Sequence, residues 1–333
     1  MSDPTASFLF ALTNAGSERA LKAEVAAAGR GWRPSFQRRG FVTFKCPVDD
    51  EPFTEEALGA AELAFSRRVC LSLGKAESEE AALALAPAGA RVHRLIWDGK
   101  RLVRAEGEAS EPAMGEGIVT LVAFSPEEIW VGFHRHRPGL SPDPGGMAGL
   151  EMPPESPSRA WLKLEEAARF FGLHFSREDI AVELGCAPGG VILALLRRGV
   201  SVIGVDPARL APVVMASAVT ERPEGPGDPP WVYHCRKPAA LVGKRDLGTR
   251  VTWFLSDMNQ SPAVALKECG RCIRMCPSIR SALITLKLTD LAEAADRDLW
   301  FGELRAMGFR TMRLQQLAVH HHEMALLATD RRA

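Results

Sequence analysis

Val182-Glu183-Leu184-Gly185-Cys186-Ala187-Pro188-Gly189-Gly190, followed by Val202-Ile203-Gly204-Val205-Asp206, decides the fold. The apolar run to Leu184 predicts a buried strand, and the glycine-rich segment a tight turn. Residues 191–198 predict a helix, and the run to Val205 a second buried strand ending on a carboxylate. Strand, glycine turn, helix and strand in that order are the first half of a nucleotide-binding α/β unit.

Glycines and the rigid Pro188 let backbone come close to a ligand, and Asp206 stands where a side chain accepts hydrogen bonds from two ribose hydroxyls. An adenosine-containing cofactor fits that geometry. Dinucleotide folds use G-x-G-x-x-G so that a pyrophosphate rests on the helix N-terminus, whereas this loop reads G-C-A-P-G-G. It better suits a ligand without phosphate, such as S-adenosyl-L-methionine, whose amino-acid tail bonds the loop backbone. Gly185, Ala187, Pro188, Gly189, Gly190 and Asp206 are therefore candidate cofactor residues. A glycine turn in an α/β domain that binds nothing reads the same way, so residues elsewhere must decide.

Upstream stands Ser158-Arg159-Ala160-Trp161-Leu162-Lys163-Leu164-Glu165-Glu166-Ala167. Downstream stand Trp253-Phe254-Leu255-Ser256-Asp257-Met258, then Leu283-Ile284-Thr285-Leu286-Lys287-Leu288, then His320-His321-His322-Glu323. A lysine before the glycine loop, an aspartate and a lysine ending two later strands, and a glutamate near the last strand resemble the K-D-K-E tetrad of the FtsJ-like ribose 2′-O-methyltransferases. The blocks P-S-R-x-x-L-K-L-E-E-A, L-G-x-x-P-G-G and L-K-L stand in that family's order. The resemblance is to its RlmM-like branch, which methylates a cytidine ribose in 23S ribosomal RNA. It is clear from about residue 117 onward and weaker before. It implies a Rossmann-like methyltransferase domain with a mixed seven-stranded sheet whose last strand is antiparallel. It also implies S-adenosyl-L-methionine as cofactor, RNA as partner, and Lys163, Asp257, Lys287 and Glu323 as catalytic residues, with Asp257 also beside the cofactor's methyl group. Two positions depart from the family. Ala160 replaces a hydroxyl residue that approaches the cofactor. After Trp231-Val232-Tyr233-His234 the chain has Arg236-Lys237 in place of a carboxylate toward adenine, which leaves Asp246 as the candidate adenine contact.

Moving a methyl group from a sulfonium to a 2′-hydroxyl is an in-line displacement, and the hydroxyl attacks poorly until its proton is polarised or removed. Lys287 is the candidate for that task. A lysine at its reference pKa is protonated, so acting as a base requires desolvation or a second cation nearby, and Lys163 supplies the cation. Asp257 orients the amine, and Glu323 holds one lysine by a charge-assisted hydrogen bond. The carboxylates oppose the shift a base needs. Lys287 can instead steer the hydroxyl, with proximity and alignment supplying most of the acceleration.

Alone, Lys163 reads as a solvated lysine on an amphipathic helix with Leu162, Leu164, Ala167, Phe170 and Phe171. Lys287 is different. Inside a run that reads as a central parallel strand, it is costly unless it stands at the carboxyl end facing a cleft. Gly185, Asp206, Asp257 and Lys287 all fall at such ends, where open α/β sheets bind ligands. The alternatives are a 2′-O-methyltransferase of another RNA and a non-catalytic RNA-binding homologue.

At 333 residues, 46% of them hydrophobic, the chain can supply two or three domains with cores of their own. No apolar run reaches the length of a membrane span, and no charged start with an apolar block and cleavage site opens it. The chain therefore reads as cytoplasmic, without a membrane partner, and as a monomer. Seven cysteines without an obvious pairing fit a reducing compartment. Lysine plus arginine equals aspartate plus glutamate at 41 each, so an RNA must be met by local clusters. These are Arg30, Arg33, Arg38, Arg39 and Lys45; residues 134–137; and Arg236, Lys237, Lys244, Arg245 and Arg250, each of which also reads as solvated loop.

Ahead of residue 141 the pattern is that of small α+β units. Strands at 7–12, near Pro34, at 41–46 and at 68–73, with helices from Ser17 to Ala28 and over 54–63, predict a ferredoxin-like β-α-β-β-α-β order for residues 1–74. Strands at 91–96, 117–124 and 128–133 make residues 75–140 a second section, similar to a THUMP region but short for a complete one. Proline and glycine density marks a linker at 141–157 before a methyltransferase domain at 158–333.

Cys269, Cys272 and Cys276 supply three thiolates where an iron–sulfur cluster or zinc needs four ligands. At i, i+3 and i+7 they also line one helix face as small apolar side chains, and no metal site is expected. Consecutive histidines 320–322 in a strand would point to alternate faces and could not all hold one ion.

Overall fold

The computed structural model describes residues 4–47, 52–59, 62–105 and 111–332. They form two compact units. The first comprises Met1–Gly149, Arg169–Gly172 and Gln315–Ala318, the second Leu150–Ala168, Leu173–Leu314 and Val319–Ala333.

In the first unit the order is β1 (Phe8–Leu12), α1 (Glu18–Ala27), β2 (Arg33–Arg38), β3 (Phe41–Lys45), α2 (Glu55–Gly59) and β4 (Arg68–Ala76). The strands lie β2-β3-β1-β4, all antiparallel, which is the ferredoxin-like arrangement. Residues 60 and 61 of the expected second helix lie outside the described residues. The chain continues with α3 (Glu79–Ala84), β5 (Arg91–Trp97), β6 (Leu102–Arg104), β7 (Gly117–Ser125) and β8 (Glu128–Arg135). β8 pairs with β4, so among the described residues one sheet runs β2-β3-β1-β4-β8-β7-β5-β6.

The boundary expected after residue 74 therefore falls inside β4. Gly74 reads as a strand end, but the register shifts between Ser72 and Gly74 and carries the strand past it, a bulge rather than a stop.

This sheet curls. Phe36 of β2 stacks on Trp130 of β8 with ring centroids 5.0 Å apart, although three strands lie between them. In a flat sheet four strand spacings would separate them by about 19 Å. Phe10, Phe41, Cys70, Leu95 and Val122 fill the space enclosed.

The expected linker is not free over its first half. Ser141, Asp143 and Met147 are buried, as are Pro144, Gly145 and Gly146. Proline and glycine do exclude helix and strand here, but the segment packs as part of the first unit. Backbone carbonyls of Ser141 and Asp143 accept hydrogen bonds from the guanidinium of buried Arg68. Gly145 and Gly146 have φ of 59° and 72°. A Cβ would come within 2.7 Å of Leu95 Cδ1 at the first and 2.8 Å of the Arg67 carbonyl oxygen at the second.

The second unit runs α4 (Ala160–Phe171), β9 (Ile180–Leu184), α5 (Gly190–Arg197), β10 (Ser201–Val205), α6 (Pro212–Met215) and β11 (Val232–Cys235). Then come α7 (Lys244–Leu247), β12 (Trp253–Ser256), α8 (Pro262–Met275), β13 (Ser281–Lys287), α9 (Arg297–Ala306), β14 (Thr311–Gln315) and β15 (Glu323–Thr329). Among the described residues the sheet order is β11-β10-β9-β12-β13-β15-β14. β9 to β13 are parallel and β15 runs antiparallel to β13, which is the mixed Rossmann-like sheet expected. Every residue of β9 and β10 is buried, as continuous apolar runs in a parallel sheet should be. This topology brings the carboxyl ends of β9, β10, β12 and β13 and the start of β15 to one edge.

Candidate active site

Gly185 follows β9 with φ 75°, a conformation open to glycine at no steric cost. A Cβ there would lie 3.0 Å from Met258 Cα, so its bareness admits the segment after β12. Gly190 opens α5 for a similar reason. A Cβ would collide with Ser158 Oγ and come within 2.9 Å of the Trp161 amide nitrogen. Both glycines thus make room for protein, and Gly190 for the start of the helix that carries Lys163.

Asp206, half-buried at the end of β10, accepts from the Ala187 amide at 3.1 Å and from the Ala208 amide at 2.8 Å. Its carboxylate holds the loop. Gly189 and Gly190 are buried, whereas Pro188 is exposed and Gly185 and Ala187 are half-buried. The solvent-facing part of the expected cofactor set is therefore Gly185, Ala187, Pro188 and Asp206.

Lys163, Asp257, Lys287 and Glu323 come together as a closed ring of alternating charge. Lys163 Nζ lies 3.2 Å from Asp257 Oδ1, 3.1 Å from Oδ2, and 3.0 Å from Glu323 Oε1. Lys287 Nζ lies 2.8 Å from Asp257 Oδ1 and also donates to Glu323 Oε1. Strand pairing explains half of this, because Lys287 ends β13 directly opposite Glu323, which begins β15. Asp257 is fixed by its own amide, which donates to the Leu184 carbonyl at 3.1 Å.

The four side chains are 14–20% exposed, accessible but largely shielded. Burial alone would lower the Lys287 pKa, but the Asp257 charge and hydrogen bonds to Asp257 and Glu323 outweigh it and hold the ammonium above lysine's ordinary range. Burial alone would raise Glu323, yet the Lys287 hydrogen bond and the Lys163 charge bring it down to about 2. The second cation does not dominate, because each lysine touches both carboxylates.

Two neighbours escaped the sequence reading. Glu183, in the middle of β9, is 1% exposed, and its Oε2 has no hydrogen-bond partner among the described residues. Burial first, then the Asp257 and Asp206 charges, push its carboxyl well above the ordinary glutamate range. The signal was available, since a carboxylate between Val182 and Leu184 is costly in a buried strand. With Lys163, Asp257, Thr285 and His320 it lines a cavity of about 20 Å³, room for one water.

His320 is buried and brought down to about 3, chiefly by desolvation. The three histidines do not alternate along a strand as expected. They occupy the bend before β15, with His320 buried and His321 and His322 exposed, because the strand starts only at Glu323.

Asp246 is already engaged, 2.7 Å from Lys237 Nζ and accepting from the Gly243 amide at 2.8 Å to cap α7. Cys269, Cys272 and Cys276 are buried along α8 and its end with Leu266 and Ile273. Desolvation pushes Cys269 up to about 12 and the other two up to about 11, so they pack as neutral apolar thiols.

Residues 157–221 match the FtsJ-like methyltransferase family. Ribosomal RNA large subunit methyltransferase M of Teredinibacter turnerae is 34% identical over 154 residues, 44% of this chain and 39% of that protein. The protein of that name in Pseudomonas aeruginosa is 31% identical over 195 residues, 56% of this chain and 49% of its own. Among solved structures, TrmN from Thermus thermophilus is 17% identical, covers 98% of this chain and 99% of its own, and has a TM-score of 0.34. The matches span less than half the length of the curated relatives. The FtsJ-like methyltransferase match falls in the unit that carries the lysine–carboxylate ring, and the chain is similar over about half its length or less to large-subunit ribosomal RNA methyltransferases M.

Proposed function

We propose that the chain is an S-adenosyl-L-methionine-dependent ribose 2′-O-methyltransferase acting on RNA, with a cytidine of 23S ribosomal RNA as substrate. The observation that carries this reading is the Lys163–Asp257–Lys287–Glu323 ring, set at the carboxyl edge of the sheet beside the glycine loop and Asp206. The likeness to large-subunit ribosomal RNA methyltransferases supports the substrate class.

The loop fits S-adenosyl-L-methionine on its donor set. Gly185 and Ala187 present backbone without bulk, and Asp206 is a half-exposed carboxylate at the end of β10. Bound there, the cofactor supplies a methyl group on a positively charged sulfur. Asp257, between the loop and the lysines, is the carboxylate placed to face that charge.

The ring's task is to hold the ribose hydroxyl. Lys287 is kept in its ammonium form by Asp257 and Glu323, so it donates to the 2′-oxygen and fixes the lone pair along the line of attack. In the transfer the S–CH3 bond would break as the O–CH3 bond forms, sulfur leaving as a neutral thioether, and the hydroxyl proton would pass to water, with Lys163 and the two carboxylates balancing the charge around the oxygen. Steering rather than full deprotonation is the role these electrostatics favour.

The test is incubation with labelled S-adenosyl-L-methionine and total RNA from cells lacking the protein, with mapping of the labelled ribose. Label in 23S RNA with the wild type and not with Lys287→Ala is the expected result. Label in another RNA would reassign the substrate. Cofactor binding without transfer to any RNA would favour a non-catalytic RNA binder.

A further inference from the structure

We propose that the first unit carries a stacking pocket for one nucleotide of single-stranded RNA, walled by Trp97 and Phe124 and charged by Arg38 and Arg39. The inference rests on the RNA-directed reading above and gives it a contact site outside the second unit.

A cavity of about 380 Å³ is lined by Arg38, Arg39, Trp97, Phe124 and Glu128. The curl of the sheet creates it, by bringing the end of β2 over the β7–β8 turn and the end of β5. Trp97 and Phe124 lie with centroids 6.1 Å apart, and both pack on the core around Phe10 and Phe41. Phe41 meets Phe124 edge-on at 5.5 Å and Trp130 at 5.2 Å. Their rings are therefore fixed from behind while part of each stays exposed.

Arg38 lies over Phe36 at 5.6 Å and Phe124 at 5.9 Å, and donates to Glu128 Oε2 at 2.8 Å. The next residue, Arg39, is exposed and has no partner among the described residues.

Preset aromatic faces suit a flat ring, and an uncommitted guanidinium beside them suits a phosphate. A base is free to enter such a pocket only when unstacked, so the partner is a single strand; a duplex hides its base faces. The Glu128 carboxylate at the rim is satisfied within the protein: it accepts from Arg38 and from the Trp130 indole N–H at 3.3 Å and lies 3.7 Å from Lys75, so it holds Arg38 over the Phe124 ring.

The test is fluorescence anisotropy of the full chain with a fluorescein-labelled single-stranded RNA of about ten nucleotides, and with a duplex of equal length. Trp97→Ala is expected to weaken single-strand binding about tenfold and to spare the duplex, with Trp97→Phe recovering most of the loss. Arg39→Ala is expected to weaken binding and to lower the salt slope by about one ion. Thermal melting shows whether each variant folds, and Arg39→Ala, at an exposed position, keeps the test decisive if the Trp97→Ala variant does not fold.

Wild-type affinity and salt slope in Arg39→Ala, together with wild-type single-strand affinity in Trp97→Ala where that variant folds, would overturn the proposal. So would equal losses for single strand and duplex, or displacement of the RNA by an acidic peptide. The readout involves no methyl transfer. Absence of transfer with a Trp97-dependent affinity intact would sink the catalytic reading and leave the pocket standing.

Discussion

At Lys287 the electrostatics distinguish a base from a positioning cation. Asp257 and Glu323 favour the charged form, so abstraction of the hydroxyl proton would first require a proton to leave against two carboxylates. Lys287→Ala should lower single-turnover methyl transfer by about 100-fold or more, with cofactor affinity within about twofold of wild type. Lys287→Arg keeps a cation that does not titrate. Retention of more than about a tenth of the rate supports steering, whereas a loss equal to alanine's would make the lysine a base. Glu183 poses the opposite case, a carboxyl whose ionisation burial disfavours. Its raised folded value contributes stability below the ordinary glutamate range that is lost as pH rises above it. Glu183→Gln should therefore stabilise the protein relative to wild type more at pH 8 than near pH 4, as read by urea unfolding. Destabilisation at pH 8 would show that the ionised carboxylate is used.

Among elements, α4 depends on a residue outside itself. Gly190→Ala would drive a methyl group into Ser158 and the Trp161 amide, at the start of the helix that carries Lys163. The expected cost is about 1–3 kcal/mol in chemical denaturation, with a fall in transfer rate as the lysine moves. Unchanged stability and rate would mean that α4 is free to shift. The elements of the second unit were legible in sequence because β9 and β10 are buried throughout and read as apolar runs between turn signals. Lys287 and Asp257 were legible because charge at the end of such a run has few explanations. Short elements were not. β6 has three residues and follows a turn in which Asp98 accepts from the Lys100 and Arg101 amides, and α3 spans only Glu79–Ala84 behind its Ser78 cap. The segment around residues 141–147 misled for another reason. Its composition describes what the backbone cannot form, but not the buried guanidinium of Arg68 that its carbonyls satisfy. The lysine–carboxylate ring likewise depends on a register, Lys287 opposite Glu323, that no local pattern records.

Across the whole molecule, charge balance conceals an uneven response to acid. Of the eight histidines, His93, His134, His136 and His320 are buried. All four are held below the ordinary histidine value, first by desolvation, with His93 and His320 at about 3. The arrangement in the first unit is specific. Arg68 donates to His134 Nε2 at 2.9 Å, so that nitrogen is the acceptor and the proton sits on Nδ1, which faces Cys70 Sγ at 3.6 Å. A second proton would place a cation against a buried arginine. The sign follows from proton counting. Unfolded histidines take up protons near pH 6.5 and the folded ones only at lower pH, so the stability they contribute is full above about pH 6.5 and falls on acidification, for His93 and His320 toward about pH 3. His93 and His320 each contribute up to about 1.4 kcal/mol per pH unit within that window. Carboxylates held low, Glu323 foremost, contribute only below their ordinary range, and Glu183, held high, contributes in the opposite sense, so with Glu183→Gln in the background the loss between about pH 6.5 and 5 belongs to the histidines. Urea unfolding of the Glu183→Gln variant should show a midpoint that drops over that interval. His93→Gln should flatten the drop, because its Nδ1 has no hydrogen-bond partner among the described residues to lose. A midpoint of that variant that stays level from about pH 7 to 5 would mean that these histidines reach protons without unfolding.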